Sequence, residues 1–420
     1  MNVMKIQIKN KIDGEVNIPS SKSYAQRAIA LAGLSQSTVI IRNLTNSDDV
    51  IAAQGIIESL GARFIRKNGE LHLSKGISRD STKEISINCK ESGLSTRLFS
   101  AFSLLFDQEF QVNGEGSITQ RTMEMVIDGL KEFGKDIQSN DFKLPLIIEG
   151  ETSKHEVEID GSISSQFLTG LLIVAPFLKA DTQINVLNLK SKPYIKMTID
   201  LMHHFGLEVG NKDFKIFNSK GNQSINKPID YKVEGDWSAA SFLVVAAAIG
   251  GKVKLTGLSA NSRQGDKVIL DAVQLAGANV KWENEDLLIE KNKLQPFEFD
   301  ATECPDLFPP LVVLAAYAKG KSVIKGLNRL KHKESDRGLT LQEECAKVGV
   351  KLELLEDEMI IYGNGQPIIS EETTFSSHND HRIAMAMTLF SIGAEKPIFI
   401  ENANAIEKSY PDFYKDFLTI

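Results

Sequence analysis

Leu60-Gly61-Ala62 and the alternating segment after it, residues 63–73, are the first copy of a pattern that recurs along this chain of 420 residues. In each copy an apolar helix tail ends at a glycine. The glycine suits the position just after a helix, where the backbone turns left-handed. The alternation of apolar and polar residues predicts a β-hairpin. Further copies lie at Phe133-Gly134-Lys135, Phe205-Gly206-Leu207, Ala276-Gly277-Ala278 and Val348-Gly349-Val350.

The spacing of these five glycines is almost constant. Subtraction of their residue numbers gives 73, 72, 71 and 72, and a fixed period of this kind indicates a repeated structural unit. Generic, unrelated βα elements are the alternative, and the even spacing disfavours them. Hairpins are predicted at residues 63–73, 208–217, 280–289 and 351–362.

A second element recurs six times, as an apolar helix opened by polar residues and closed by a short strand. Its copies are residues 27–44, 97–112, 167–187, 240–258, 307–327 and 382–400. Six helices with five glycines leave one hairpin missing, which the strands around Ile6 and Val16 could supply. A chain of this length favours two domains. We therefore predict three units in residues 20–229 and three in residues 1–19 plus 230–420.

Composition excludes several classes of protein. A net charge of −7 and a pI near 5.7 argue against a nucleic-acid partner, which needs a basic face. Three cysteines without CxxC spacing predict neither a disulfide framework nor a zinc site. The longest apolar runs, residues 167–178 and 242–249, fall short of the roughly 20 residues that span a bilayer. With a strand pattern rather than a signal peptide at residues 4–9, a cytoplasmic location is expected.

Function is sought at the starts of the six helices, because exposed N–H groups and the helix dipole favour anions there. The first start carries Lys22, Ser23 and Arg27, which one phosphate or carboxylate could touch together. The second carries Gly93, where a ligand could approach the backbone closely, and Arg121 lies in a nearby loop. A capped amphipathic helix with a solvated lysine and arginine is the alternative for the first start, and the second start is weak evidence by itself.

The third start, Ser164-Ser165-Gln166, offers two hydroxyls and an amide for a phosphate or hydroxyl group. Plain helix capping explains it nearly as well. Ser191, which begins Ser191-Lys192-Pro193-Tyr194 after the next strand, could extend the same surface.

The C-terminal half is more specific. Asp306 opens an apolar helix, residues 331–337 hold six ionisable groups, Asn379-Asp380-His381-Arg382 precedes another apolar helix, and Lys408 lies before Tyr410-Pro411. Charges that abut apolar runs predict a functional site rather than a solvated surface. His378 and His381 could suggest a metal, but no third ligand is suitably spaced, so a structural role is the favoured interpretation.

Taken together, these residues resemble the 5-enolpyruvylshikimate-3-phosphate synthase family of enolpyruvyl transferases. The resemblance runs end to end. It implies an α/β (α+β) fold of two domains, each built from three βαβαββ units as an inside-out α/β barrel, with the active site in the interdomain cleft. The strongest matches are residues 21–23 with Arg27, 164–169, 191–195, 333–337 and 379–382.

The resemblance also implies the substrate contacts. Shikimate 3-phosphate would be held by Lys22, Ser23, Arg27, Ser164, Ser165, Gln166, Ser191, Asp306 and Lys333. Phosphoenolpyruvate would be held by Lys22, Gly93, Arg121, Gln166, Arg337, Arg382 and Lys408.

The implied reaction transfers the enolpyruvyl group of phosphoenolpyruvate to the 5-hydroxyl of shikimate 3-phosphate by addition and elimination. Asp306 would accept the hydroxyl proton, while Glu334 and Lys22 are candidates for moving the C3 proton. No cofactor or metal is expected. The expected partners are these two small molecules alone, without nucleic acid or membrane, and the family suggests a monomer.

Two departures from the family pattern stand out. Many members carry Asn-Ala-Gly-Thr-Ala before the arginine, whereas this chain has Glu91-Ser92-Gly93-Leu94-Ser95-Thr96-Arg97. Arg121 also lacks the proline that usually follows it. Both changes concern the wall of the phosphoenolpyruvate pocket.

Three other functions are the alternatives, and each conflicts with a feature of the sequence. The enolpyruvyl transferases that act on UDP-N-acetylglucosamine carry Lys-Asn at the first helix and a reactive cysteine in a later loop, whereas this chain has Lys22-Ser23, and Cys89 lies before the second helix. RNA 3′-phosphate cyclases need a nucleotide-linked histidine, for which no context is present. A non-catalytic anion-binding protein would give Asp306 and Glu334 no purpose.

Overall fold

The structure is a computed structural model that describes residues 2–78, 84–331 and 333–420. His332 of the charged motif lies outside the described residues. The chain divides into two compact units, residues 22–233 (the central unit) and residues 1–21 with 234–420 (the terminal unit). The sequence predicts crossings at 19/20 and 229/230. Ile229–Lys232 pairs in parallel with Val39–Arg42, so these residues pack within the central unit.

Short strands and helices alternate along the whole chain. The strands are β1 (Val3–Ile6), β2 (Ile12–Asn17), β3 (Val39–Arg42), β4 (Arg63–Lys67), β5 (Glu70–Lys75), β6 (Ile85–Asn88), β7 (Phe110–Asn113), β8 (Asp136–Asn140), β9 (Lys143–Glu149), β10 (Glu156–Asp160), β11 (Thr182–Leu187), β12 (Gly210–Lys212), β13 (Ile216–Ser219), β14 (Ile229–Lys232), β15 (Gly251–Thr256), β16 (Asn279–Glu283), β17 (Asp286–Glu290), β18 (Glu298–Asp300), β19 (Lys319–Lys325), β20 (Lys351–Leu354), β21 (Glu358–Asn364), β22 (Thr373–Ser376) and β23 (Ile398–Glu401). The helices are α1 (Lys22–Gly33), α2 (Asp48–Ser59), α3 (Gly93–Ser100), α4 (Glu124–Glu132), α5 (Gln166–Val174), α6 (Lys192–His204), α7 (Trp237–Gly250), α8 (Ile269–Leu275), α9 (Phe308–Ala316), α10 (Arg337–Ala346), α11 (His381–Thr388) and α12 (Phe413–Thr419).

Within the described residues, each unit contains three small mixed sheets. The sheets of the central unit have the strand orders β14-β3-β5-β4, β6-β7-β9-β8 and β10-β11-β13-β12. Those of the terminal unit are β16-β17-β15-β2, β18-β19-β21-β20 and the three-stranded β1-β23-β22. In the sheets that contain β6, β10 and β18, a parallel pair of strands connected through a helix is followed by an antiparallel hairpin. In the other two four-stranded sheets, β14 and β2 pair in parallel with β3 and β15 from distant parts of the chain. The predicted α/β class and βαβαββ repeat are confirmed.

The repeat glycines lie where the sequence predicts them, between a helix and a hairpin. Their φ angles are all positive, at 95° for Gly61, 90° for Gly134, 80° for Gly206, 103° for Gly277 and 72° for Gly349. A left-handed backbone of this kind is costly for residues with a Cβ atom. The hairpins predicted after Gly61, Gly206, Gly277 and Gly349 are antiparallel strand pairs.

The prediction that the N-terminal strands supply the missing hairpin is wrong. β1 pairs antiparallel with β23, whereas β2 pairs in parallel with β15 in a different sheet. The reason lies in the repeat itself. The β15 sheet needs a parallel first strand, which β2 provides, and the last sheet lacks its hairpin and gains the single strand β1.

Apolar burial explains why the helices lie inside each unit. Every residue of α9 and every residue of α5 after Gln166 is buried, and the two units have separate apolar cores. Sheets cover the helices from outside, with alternating buried and exposed residues. Among the described residues, no helix has the length and apolar character needed to cross a membrane.

The close approach of α5 to α3 generates a prediction about stability. A Cβ atom on Gly170 would lie 2.2 Å from the Leu98 carbonyl oxygen, so Gly170→Ala should force the helices apart and cost about 1–3 kcal/mol in the free energy of unfolding. Gly55→Ala in α2, where a Cβ atom would meet nothing within 4 Å, is the matched control and should stabilise by about 0.5–1 kcal/mol. Urea unfolding measures both, and equal effects of the two changes would contradict the packing argument.

Candidate functional site

Helix α1 begins at Lys22, so Lys22, Ser23 and Arg27 lie on its first two turns. The Arg27 guanidinium is buried and ties this helix to two others. Its Nε donates to Thr198 Oγ1 at 2.9 Å, its Nη2 to Thr169 Oγ1 at 3.2 Å, and its Nη1 to the Ser23 carbonyl at 2.8 Å. Helices α1, α5 and α6 are therefore linked through one side chain.

The charge of Arg27 has no carboxylate partner among the described residues. Burial lowers the pKa of Arg27 to about 10, which still leaves the guanidinium protonated at neutral pH. Its hydrogen-bond partners are two hydroxyls and a carbonyl, which are neutral. Since a buried charge is costly without an opposite charge, this position favours an anionic ligand.

Lys22 contacts Asp49, a residue that no sequence pattern predicts as part of the site. Its Nζ lies 3.0 Å from Asp49 Oδ2, and both side chains are largely buried. Asp49 sits in the first turn of α2, where an acidic residue is common for reasons of helix capping alone. The contact brings the starts of α1 and α2 together.

Two arginines converge on the start of α3. Helix α3 begins at Gly93, and its cap Ser92 accepts a hydrogen bond from Ser95 N at 3.2 Å. A Cβ atom on Gly93 would lie 3.1 Å from Arg121 Nη1 and 3.2 Å from Arg97 Nη1. Within the described part of the chain, the buried Nε and Nη2 atoms of Arg121 have no hydrogen-bond partner. Unsatisfied buried donors on a cation are suited to oxyanion binding.

The third start lies next to the second. Gln166 begins α5, and its backbone N–H donates to Ser164 Oγ at 3.2 Å, while Ser165 is buried beside it. Arg97 Nη1 donates to Gln166 Oε1 at 3.1 Å. Because the amide oxygen accepts from Arg97, the amide NH2 group is the part of Gln166 that could donate to a ligand.

Ser191 precedes α6 with a left-handed backbone, at φ 57° and ψ 44°, and is buried. Non-glycine residues adopt this conformation uncommonly, and such positions cluster at ligand sites. The predicted residues of the central unit thus lie at the starts of α1, α3, α5 and α6, together with Arg121.

In the terminal unit, Asp306 is the centre of an ionic cluster. Its Oδ1 accepts from Lys333 Nζ at 3.1 Å and from Arg337 Nη1 at 2.8 Å, and its Oδ2 accepts from Arg382 Nη2 at 3.0 Å. Burial opposes the charge of Asp306, but Arg382, Lys333 and Arg337 hold its pKa well below the ordinary value. Both carboxylate oxygens are therefore occupied by cations.

Arg337 is shared among several carboxylates. Its Nε donates to Asp380 Oδ2 at 2.7 Å, and its Nη2 donates to Glu334 Oε2 at 2.5 Å and to Asp380 Oδ1 at 3.2 Å. Burial lowers the pKa of Arg337, but Asp380, Glu334 and Asp306 outweigh it and raise the pKa. Lys408 Nζ donates to the Asn379 carbonyl at 3.3 Å, close to the start of α11.

A further carboxyl group near Asp306 was not predicted. Asp266 is buried, and its Oδ2 accepts a hydrogen bond from Ser238, whereas Oδ1 has no partner among the described residues. Burial and the negative charge of Asp306 raise the pKa of Asp266 to about 6. The sequence around it, Gln264-Gly265-Asp266, has no periodic or motif signal that would identify it.

The predicted residues thus form two sets, one in each unit. In the central set, Arg27 has only neutral partners and Arg121 has unsatisfied donors among the described residues, whereas Lys22 pairs with Asp49. In the terminal set, Lys333, Arg337 and Arg382 pair with carboxylates, and Lys408 donates to a backbone carbonyl. His378, for which the sequence favours a structural role over metal binding, contacts Glu344 Oε1 through its Nε2 at 2.9 Å.

Comparisons with known proteins match nearly the whole chain. The family model described as EPSP synthase (3-phosphoshikimate 1-carboxyvinyltransferase) matches residues 6–417. A 3-phosphoshikimate 1-carboxyvinyltransferase of Clostridium novyi (strain NT) is 38% identical over 421 residues, covering 98% of this chain and 95% of the relative. A protein of the same name from Clostridioides difficile (strain 630) is 35% identical over 418 residues, covering 97% and 95%.

Solved structures share the fold. An EPSP synthase from Acinetobacter baumannii superposes with a TM-score of 0.82 at 24% identity, covering 99% of this chain and 98% of the other. The enolpyruvyl transferase NikO from Streptomyces tendae gives a TM-score of 0.79 at 16% identity, covering 99% and 97%.

The unsatisfied donors of Arg121 predict anion binding. Inorganic phosphate should raise the melting temperature of the protein, because a ligand at 100 times its dissociation constant stabilises the folded state by about 2.7 kcal/mol. Arg121→Gln should lose most of this shift. Arg66→Gln, which changes an exposed arginine of the same unit bonded to neutral amides, should keep it. An unchanged phosphate response in Arg121→Gln would contradict the assignment.

Proposed function

Since this chain belongs to the EPSP synthase family, and so transfers the enolpyruvyl group of phosphoenolpyruvate to shikimate 3-phosphate in the shikimate pathway, we propose that the two residue sets described above perform the transfer. The central set supplies donors for the substrates' anionic groups. The terminal set supplies the proton acceptor and further cations.

Shikimate 3-phosphate is bound mainly by the central set in this proposal. Lys22, Ser23 and Arg27 supply charge and a hydroxyl from α1, and the lack of an anionic partner for Arg27 supports this role. The starts of α5 and α6 add neutral donors suited to phosphate and hydroxyl groups. The proposed contacts are Lys22, Ser23, Arg27, Ser164, Ser165, Gln166 and Ser191, with Asp306 and Lys333 from the terminal unit.

Phosphoenolpyruvate carries a carboxylate and a phosphate, which call for several cations. The unsatisfied guanidinium atoms of Arg121 beside Gly93 support an anion site in the central unit. Charge-assisted hydrogen bonds to such groups contribute about 1.5–3 kcal/mol each. The proposed contacts are Lys22, Gly93, Arg121 and Gln166, with Arg337, Arg382 and Lys408.

The reaction proceeds by addition and elimination. A proton is added to C3 of phosphoenolpyruvate, and the 5-hydroxyl oxygen of shikimate 3-phosphate forms a bond to C2 while its proton passes to a base. Loss of the C3 proton with cleavage of the C2–O bond to phosphate then gives the enol ether and inorganic phosphate. Two positioned acid–base groups are needed.

Asp306 is the proposed acceptor of the hydroxyl proton. In the structure both of its oxygens are bound to cations, which keeps its pKa low and makes it a weak base. When the carboxylate and phosphate groups of phosphoenolpyruvate bind Arg337 and Arg382, these two arginines would no longer bind Asp306. The pKa of Asp306 would then rise when substrate is present, which is when a base is needed.

The C3 proton is assigned to Glu334 and Lys22. Glu334 accepts from Arg337 at 2.5 Å, so its carboxyl group lies beside a proposed phosphoenolpyruvate contact. Lys22 is held by Asp49 at 3.0 Å. Glu334 and Lys22 together deliver the C3 proton in the addition step and remove it in the elimination step.

The observation that carries the proposal is the arrangement at Asp306, where a candidate base touches three cations expected to bind substrate anions. A cytoplasmic location and a monomeric state remain predictions from the sequence.

Release of inorganic phosphate tests the function directly. The protein should release phosphate from phosphoenolpyruvate only when shikimate 3-phosphate is also present, because addition must precede loss of phosphate. UDP-N-acetylglucosamine as the acceptor is the control and should give no release. Absence of release with the first pair, or release with the second, would contradict the proposal.

Asp306→Asn should separate binding from catalysis. Turnover should fall by about 10²–10⁴ because the base is lost. Binding of phosphoenolpyruvate, measured by titration calorimetry, should instead become tighter by roughly tenfold, or about 1.4 kcal/mol, because Arg337 and Arg382 no longer bind the Asp306 carboxylate. Asp412→Asn, at an exposed aspartate of the same unit, is the control. Weaker binding or near-normal turnover in Asp306→Asn would refute its proposed role.

A further inference from the structure

Glu344 is a buried carboxylate that the mechanism above does not use. It lies in α10 with none of its side chain exposed. Its Oε2 accepts from the Ser376 backbone N–H at 3.0 Å and from Lys347 Nζ at 2.8 Å. Its Oε1 lies 2.9 Å from His378 Nε2 and 3.0 Å from Lys347 Nζ. A buried carboxylate with this many partners fixes whatever it contacts.

What Glu344 contacts is the turn of residues 376–380. The backbone of this turn is left-handed at His378 and Asn379, with φ of 48° and 56°. Local bonds hold its shape, since Ser376 Oγ accepts from His378 N and Ser377 Oγ from Asn379 N. Two consecutive non-glycine residues in this conformation persist only where the surroundings impose it.

The turn contacts the three cations that are proposed to bind phosphoenolpyruvate. Asp380 binds Arg337 through both of its oxygens and caps α11 by accepting from Arg382 N at 2.9 Å. The carbonyl of Asn379 accepts from Lys408. A shift of the turn would therefore move Arg337, Arg382 and Lys408 together.

Helix α10 touches this turn at two points. Arg337 and Glu344 are seven residues apart, which is about two helical turns, so both lie on the same buried face. Arg337 pairs with Asp380 at one end of the turn, and Glu344 binds Ser376 and His378 at the other. Two contacts from one rigid helix fix both the position and the orientation of the turn.

We propose that Glu344 is a positioning residue for the phosphoenolpyruvate site, which sets the 376–380 turn against α10 and so aligns Arg337, Arg382 and Lys408. The inference rests on the function proposed above. It assigns Glu344 no contact with substrate. Glu344 affects catalysis by placing these three cations, because a misplacement of about 1 Å is enough to weaken catalysis.

A metal ion is the competing interpretation of the same residues. Ligand atoms of Glu343, Glu344 and His378 lie within 4.8 Å of one another. Lys347, however, already supplies a cation to both oxygens of Glu344, and a metal would have to displace it. The contacts therefore favour an internal ion pair that holds the turn.

Steady-state kinetics of Glu344→Gln test the proposal. The amide keeps the shape of the side chain but loses the charge that binds Lys347 and His378. The KM for phosphoenolpyruvate should rise roughly tenfold, while the KM for shikimate 3-phosphate should change less than about twofold, because Lys333 and Asp306 lie outside the turn. Glu343→Gln, at the exposed neighbouring glutamate, is the matched control and should leave both KM values unchanged.

A second variant protects the test against misfolding. His378→Ala removes one contact of Glu344 at a side chain that is 28% exposed, and it should raise the KM for phosphoenolpyruvate in the same direction by a smaller factor. The double variant should be less than additive, since both changes act on one contact.

Several outcomes would overturn the proposal. These are an unchanged KM for phosphoenolpyruvate in both variants, an equal rise for both substrates, or a loss of activity in Glu343→Gln that added zinc restores. An inactive wild-type protein would instead refute the proposed function, so the two failures are distinguishable.

Discussion

A helix that is apolar on every side can be buried along its length, but its ends must still satisfy backbone N–H groups. This constraint shapes both units. Helices α5 and α9 are enclosed by their sheets and neighbours, so their polar groups concentrate at their starts. Unsatisfied N–H groups and the helix dipole favour anions there. Anion-binding residues therefore gather where the repeat places its helix starts, and one folding pattern used six times yields several such positions.

Arg27 and Arg121 of the central unit satisfy their charges differently from Arg337 of the terminal unit. In the central unit, Arg27 has only neutral partners and Arg121 retains unsatisfied donors within the described residues, so an anion adds bonds without breaking any. In the terminal unit, Asp306 and Asp380 already neutralise Arg337. An anion there must exchange with a carboxylate. If substrate anions bind there as proposed, the exchange would lower the net gain in binding, but it would couple substrate binding to the basicity of Asp306, which binding substrate and transition state equally would not do.

The repeat could be predicted from sequence because its signals are local. Gly61 and its four counterparts end helices, and alternation marks the hairpins that follow, so both are visible in a short window. The partners of β1 and β2 could not be predicted, because pairing with β23 and β15 joins segments hundreds of residues apart. The same holds for the site. Charged motifs predict Arg337 and Asp306 as site residues, whereas Asp49 and Glu344 make contacts with residues distant in sequence, which leave no local pattern.

The departures from the family pattern around Gly93 affect residues that support the proposed anion site. They leave its positively charged residues unchanged. Ser95 Oγ donates to Gln26 Oε1 at 2.8 Å, which links α3 to α1 beside Lys22. Glu91 accepts from Ser117 Oγ at 3.3 Å and packs against Gly116, at the beginning of the turn that leads to Arg121. These residues bond to one another and to the loop that carries the arginine. Because Gly93, Arg97 and Arg121 are retained, the positive charge of the proposed anion site stays the same, and the altered neighbours act on the contacts of α3 and of the loop before Arg121.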